Sequence, residues 1–294
     1  MPLHAITSRP AIQTIVFATD FSERSRRALP HAAALARQCH ARLILSHVLT
    51  SVSPLIASPE VEGEGSQSRL ESQVKGKLEG VASSENIDDI FHETVVSCGE
   101  VWNGLSQIVE SNHVDLVVLG TRGITGVRKL KLGSTAEDVT RTVPCPVMII
   151  GPRVSVPASG DFGQILCATR FDEGSMHALE RALPLMLGGH RRLTLLHVLR
   201  PENHVLAHRD QVIRQCTERM LSLVPEDDAR SFEVSAEVRF GKPAEEIVER
   251  ARAAHADLIV MGARAAGRAS TFLPSTLHQV ISNAPCPVLT MCCG

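Results

Sequence analysis

The sequence predicts an α/β protein of two tandem open-sheet domains, each a five-stranded parallel sheet with helices on both faces. Three observations predict it. First, the chain repeats itself: residues 15–49 align without a gap on residues 165–199, with about half the positions identical. Later, Asp115–Gly120 (DLVVLG) returns as Asp257–Gly262 (DLIVMG), and Pro144–Val147 (PCPV) returns as Pro285–Val288. A repeat of this length is a duplicated domain rather than a solenoid unit. Second, short β-branched runs alternate with helical periodicity, the order of βαβ units and a parallel sheet. Third, the runs LVVL and LIVM are apolar without interruption, as strands covered on both faces are.

Each element follows in order. In the first copy, Ile12–Ala18 reads as a buried strand. Ser22 caps a helix carrying Ala28, Leu29, Ala32, Ala33, Leu35 and Ala36 on one face. Leu43–Leu49 is a strand, and Ser51–Ser66, rich in Ser, Pro, Gly and Glu, is a loop. Gln67–Ala82 is a helix, Asp89–Val96 a strand, Val101–Asn112 a helix and Leu116–Leu119 a strand. After a Gly-rich loop come a helix over Ser134–Thr142 and a last strand, Val147–Ile150. The second copy places strands at Gln164–Ala168, Leu193–Leu199, Phe232–Val238, Leu258–Met261 and Val288–Met291. Its helices are Ser175–Leu187, Val205–Leu223, Ala244–His255 and Ser275–Asn283. Pro152–Gly160 has linker composition, so the domains are expected at residues 1–153 and 161–294.

The 294 residues suit two domains, each able to bury a core. The chain is 44% hydrophobic and 21% charged, with a net charge of −2. No global field favours nucleic acid or an anionic membrane. No apolar run approaches the ~20 residues that span a bilayer. The N-terminus lacks the regions of a signal peptide, and a cytoplasmic location is expected. None of the eight cysteines forms a C-x2-C pair, and no His/Cys group has zinc-site spacing. They read as reduced thiols, with the vicinal pair Cys292–Cys293 set apart.

In open parallel sheets, ligands bind beyond the carboxyl ends of the strands, where strand order reverses. After the fourth strand come Gly120, Gly123 and Gly126, then Gly133, Ser134 and Thr135 at a helix start. Backbone N–H groups there, with hydroxyls beside them, suit an anion. Arg122, Arg128, Lys129 and Lys131 add positive charge, although a solvated loop would read the same. No G-K-[ST] follows, so this is not a Walker A loop. After the first strand, Thr19-Asp20-Phe21-Ser22 offers a carboxylate for a ribose hydroxyl or a cation, or simply a turn residue.

These residues resemble a known family. The spacing Gly120-x2-Gly123-x9-Gly133-Ser134, the T-D-F-S at Thr19–Ser22, the His47–Val48 strand end and the doubled P-C-P-V are similar to the universal stress protein family. The resemblance covers nearly the whole chain as two consecutive domains. It implies the Rossmann-like fold of adenine nucleotide alpha hydrolases and ATP as ligand, with Mg or Mn. Carried over by position, Asp20 meets the ribose side and Val48 the adenine, with Thr19 beside Asp20 among the cofactor-binding residues. Leu119 and Gly120 line base and sugar, while Gly123, Gly133, Ser134 and Thr135 hold the phosphates. Arg122 stands where many members have a smaller residue or His, and should attract phosphate.

The duplication supplies an internal control. Copy two has Arg170 in place of Asp20, Ala265 in place of Gly123 and Ser275 in place of Gly133. If those positions require positive φ, each side chain costs ~1 kcal/mol or more. Copy two therefore reads as unable to bind nucleotide. His47 returns as His197, and Cys145 as Cys286, so both read as fold residues. Trp102 reads as packing at a helix start. The expected role is an ATP-loaded stress-response or regulatory module. The alternative is a slow ATPase or a nucleotidyl-transfer enzyme. Hydrolysis needs a placed base, and only Asp20 and a distant Asp138 offer one. The terminal strands Val147–Ile150 and Val288–Met291 suggest edge pairing, giving an intramolecular pseudo-dimer of domains and a homodimer of chains.

Overall fold

The computed structural model describes residues 12–50, 66–121, 134–155, 160–186, 191–201, 208–263 and 275–292. The chain divides into two compact units, one carrying Ile12–Ile150 and the other Asp161–Cys293.

In the first unit the strands are β1 (Thr14–Ala18), β2 (Arg42–Leu49), β3 (His92–Cys98), β4 (Leu116–Gly120) and β5 (Val147–Ile150). They lie in the order β3-β2-β1-β4-β5, all parallel. The register sets Ala18 beside Ser46 on one side and Leu119 on the other. The chain steps from β1 outward to β3, then crosses back to β4. Strand order therefore reverses between β1 and β4. Right-handed crossovers put α1 (Glu23–Arg26), α2 (Leu29–Cys39) and α3 (Ser66–Ser84) on one face. They put α4 (Val101–Ser111) and α5 (Ser134–Thr142) on the other.

Local chemistry explains the boundaries. Ser22 accepts a hydrogen bond from the Ser25 amide and starts α1. The single helix expected after Ser22 is two, because Pro30 opens a fresh first turn in α2. Ala32, Ala33, Leu35 and Ala36 face the core there, and left-handed His40 ends the helix. On α3, Val74, Leu78 and Val81 are buried at helical spacing. Strand β3 starts at His92 rather than at the expected Asp89. The Asp89 carboxylate instead accepts Arg37 Nε and Nη2, both at 2.7 Å, which holds it in the preceding turn. Phe17, Leu43, Leu45, Leu116 and Met148 are fully buried between the layers.

The second unit repeats the plan with β6 (Gln164–Ala168), β7 (Arg192–Leu199), β8 (Glu233–Phe240), β9 (Leu258–Ala263) and β10 (Val288–Cys292). Their order is β10-β9-β6-β7-β8, again all parallel. Its helices are α6 (Glu173–Ala182), α7 (Arg209–Leu221), α8 (Glu226–Ala229), α9 (Pro243–Ala253) and α10 (Thr276–Asn283). Helix α6 gives way to a 3-10 turn at Leu183–Met186, where Pro184 lacks the N–H that would continue it. The short α8 has no counterpart in the sequence reading. Among the described residues, no helix is long and apolar enough to cross a membrane.

Candidate functional site

The carboxyl ends of β2, β1 and β4 bring together Val48, Thr19, Asp20, Leu119 and Gly120. This is the end of the sheet where strand order reverses. The Thr19 amide donates to the Ser46 carbonyl at 3.0 Å and ties the end of β1 to β2. The chain then turns sharply. Phe21 adopts φ 64°, a left-handed conformation rare for a bulky residue. Thr19 Oγ1 accepts the Phe21 amide at 3.0 Å, and Asp20 Oδ1 accepts the Ser22 amide at 3.0 Å. Asp20 is thus an exposed carboxylate seated in a turn. Thr19 itself is buried, its hydroxyl 2.8 Å from Ser25 Oγ.

His47 anchors this turn from β2. Its Nδ1 lies 2.7 Å from the Thr19 carbonyl, and its ring lies 4.6 Å from that of Phe21. Nδ1–H donates to this carbonyl, which fixes the tautomer, so Nε2 carries the lone pair. That nitrogen is buried with no hydrogen-bond partner among the described residues. Burial holds the His47 pKa below its ordinary value, against the pull of the Thr19 carbonyl and Asp20.

Val48 turns its side chain to the opposite face, against α4. A Cβ on Gly104 would stand 2.8 Å from Val48 Cγ1. Leu119 is 6% exposed, so its backbone rather than its side chain is offered at the strand end. Gly120 is required by packing: a Cβ there would meet the Arg24 carbonyl oxygen at 2.6 Å and Ser25 Cα at 3.0 Å. Its counterpart Gly262 meets the backbone of Gly174 and Ser175 in the same way. The close approach that the sequence assigned to a ligand is, at Gly120, the approach of α1.

Ser134 and Thr135 open α5, placing its N-terminus at the same end of the sheet. Arg122, Gly123 and Gly133 lie outside the described residues, as do the basic stretch 128–131 and Ala265. Asp138 is exposed on α5, with its carbonyl accepting Thr142 Oγ1 at 2.8 Å. Trp102, expected to pack, is 43% exposed on the first turn of α4. Among the described residues, no group of three or more His, Cys, Asp or Glu could hold a metal. Cys145, Cys167 and Cys286 are buried thiols outside any disulfide, and burial pushes Cys167 and Cys286 up to about 12.

The second unit keeps the turn and changes what it carries. Phe171 has φ 61°, its ring is 4.6 Å from that of His197, and His197 Nδ1 lies 2.8 Å from the Thr169 carbonyl. Arg170 stands where Asp20 stands, and its guanidinium donates to Asp172. Arg219 of α7 lies over the Phe171 ring, 4.3 Å from its centroid. Ser275 is no strained substitute for a glycine. Its φ is negative, in extended backbone where any residue fits. It caps α10, its hydroxyl accepting the His278 amide at 3.2 Å, as serine does at many helix starts. Sequence reasoning missed Phe21 and Ser25 as site-building residues. Their return as Phe171 and Ser175 was the available signal.

Known proteins share both sequence and fold. Residues 11–151 and 161–291 each match the universal stress protein family. A universal stress protein of Thermus aquaticus is 31% identical over 138 residues, covering 47% of this chain and 98% of its own. One from Methanocaldococcus jannaschii is 31% identical over 142 residues, covering 46% of this chain and 80% of its own. A crystal structure of a universal stress protein from Archaeoglobus fulgidus superposes with a TM-score of 0.71 at 22% identity. It covers 96% of this chain and 98% of its own, and shares the fold across both units.

Proposed function

The chain belongs to the universal stress protein family, and we propose that it is an ATP-binding regulatory module whose first unit alone holds the nucleotide. One observation carries this reading. Asp20, Val48, Leu119 and Gly120 converge at the carboxyl ends of three adjacent strands, where the sheet order reverses and α5 begins. Asp20 takes a ribose hydroxyl, and the backbone beside Val48 and Leu119 takes the base. The segment from Arg122 through Gly123 and Gly133 to Ser134 and Thr135 takes the phosphates with a Mg or Mn ion. Arg170, paired with Asp172, replaces the ribose carboxylate in the second unit, which has a structural or regulatory role.

The same reading places the domain limits at residues 1–153 and 161–294 and the protein in the cytoplasm, as a homodimer. It assigns the terminal strands β5 and β10 to edge pairing, because unpaired strand edges invite a partner. Residues 1–153 expressed alone should then self-associate in sedimentation, and a strict monomer at high concentration would refute that assignment. For the nucleotide, the test is mass spectrometry of small molecules released by denaturing freshly purified protein, with calorimetry of ATP binding. Absence of released nucleotide together with no binding heat would overturn the proposal.

A further inference from the structure

We infer that His47 is a positioning residue for the nucleotide site: it clamps the Thr19–Ser22 turn so that Asp20 is presented to the ribose. The inference rests on the nucleotide reading above and extends it to a residue that touches no ligand.

The turn is not a conformation the chain adopts freely, because Phe21 is left-handed at φ 64°. Three contacts around Asp20 hold it. Thr19 Oγ1 accepts the Phe21 amide at 3.0 Å, Ser25 Oγ meets Thr19 Oγ1 at 2.8 Å, and His47 donates from Nδ1 to the Thr19 carbonyl at 2.7 Å. The His47 ring also backs the Phe21 ring at 4.6 Å. Asp20 lies between two residues that His47 touches. A purely apolar residue would fill the same volume without leaving a buried nitrogen unsatisfied. His47, a residue only 8% exposed, does leave one: Nε2 has no partner among the described residues. Such an orphan is unfavourable. Its retention is explained by the Nδ1 donor, which no aliphatic residue supplies. The second unit repeats the clamp with His197, Thr169, Phe171 and Ser175, but presents Arg170. The clamp therefore sets a backbone, and only in the first unit does that backbone aim a carboxylate.

The test compares affinity for ATP and for 2′,3′-dideoxyATP in the full chain. Wild type should prefer ATP by about tenfold, the worth of a charged hydrogen bond. His47→Leu should bring the ratio close to one. His47→Asn, whose amide can replace the Nδ1 donor, should restore most of it. His197→Leu, the same lesion in the second unit, should leave the ratio unchanged. In wild type, ¹⁵N spectra should show His47 protonated on Nδ1, a readout independent of any variant's folding. A folded His47→Leu protein that keeps the tenfold preference overturns the inference, as does a His47 protonated only on Nε2. Wild type that binds ATP and dideoxyATP equally overturns the assignment of Asp20 to the ribose, and this inference with it.

Discussion

Replacing Gly120 by alanine should destabilise the protein, although alanine is the smaller perturbation by every local measure. An added Cβ would lie 2.6 Å from the Arg24 carbonyl oxygen and 3.0 Å from Ser25 Cα. Both are backbone atoms of α1 and its buried first contact, so no rotamer change relieves them. Either β4 or α1 must shift, and α1 is tied to β1 through Thr19 and Ser25. Overpacking of this kind costs about 1–3 kcal/mol. At roughly 3 °C per kcal/mol for a unit of this size, the melting temperature should fall by about 6 °C. Gly76→Ala supplies the opposite sign. Gly76 lies inside α3, and a Cβ there meets nothing within 4 Å. That change should stabilise by about 0.5–1 kcal/mol, because glycine is the poorer helix former. Gly262→Ala should behave as Gly120→Ala does, since its Cβ would crowd the Ser175 amide nitrogen. Urea unfolding followed by circular dichroism measures all three. If Gly120→Ala is as stable as wild type, the close approach of α1 is not what requires glycine there.

Other outcomes follow from the same geometry. Gly123→Val should abolish ATP binding and leave the melting temperature unchanged; unaltered affinity in calorimetry would remove Gly123 from the site. ATP should bind at one equivalent per chain, and two equivalents would restore the second unit as a nucleotide site. The His47 contribution to stability should be flat above about pH 6.5, the ordinary histidine value. It should fall as pH drops below that, because burial and Lys77 keep folded His47 neutral while the unfolded chain takes up a proton. The Thr19 carbonyl and Asp20 oppose that shift without cancelling it. Replacing His47 by Asn should reduce the slope of the urea midpoint against pH, and an unchanged slope would refute the assignment. Exposed Cys98 should react with a disulfide reagent at pH 8 in the native protein. Cys167, with its thiol pushed up to about 12, should react only after unfolding.

Much of the fold was legible because strand and helix periodicity is local. The limits of β5 and α5, and the cap Ser22, depend on adjacent residues that the sequence displays; Ser275, read as a strained glycine replacement, is a cap that the sequence also displayed. The misread boundaries depend on distant ones. Nothing near Asp89 announces that Arg37, fifty-odd residues earlier, holds it in a turn. The break between α1 and α2 was signalled by Pro30, but Ala28, Leu29 and Ala32 continue one apolar face across it. At the site, Gly120 does mark a close approach, that of α1. The glycine pattern could not say what approaches, because Gly120 meets its neighbour across the sheet rather than along the chain.

The two copies together decide how Asp20 should be weighed. Seen alone, it is an exposed carboxylate in a hydrogen-bonded turn, a role that many aspartates play. The second unit removes that explanation. There the turn keeps Thr169, Phe171, Ser175 and His197 and forms with Arg170 in the middle. Neither the left-handed Phe nor the clamping His needs an aspartate between them. The turn therefore does not require Asp20, and the nucleotide site proposed at the end of β1 gives its carboxylate a role. Packing requires a glycine at Gly120 whatever residue stands at position 20, since Gly262 persists beside Arg170 with the same packing constraint. At the clamped position itself, the two units differ in the sign of the charge: Asp20 in one and Arg170 in the other. Exchanging it, by Asp20→Arg in one protein and Arg170→Asp in another, is the direct trial. Loss of ATP binding in the first, with both proteins folded, is the expected result. An Asp20→Arg protein that binds ATP as tightly as wild type would show that the ribose is recognised elsewhere.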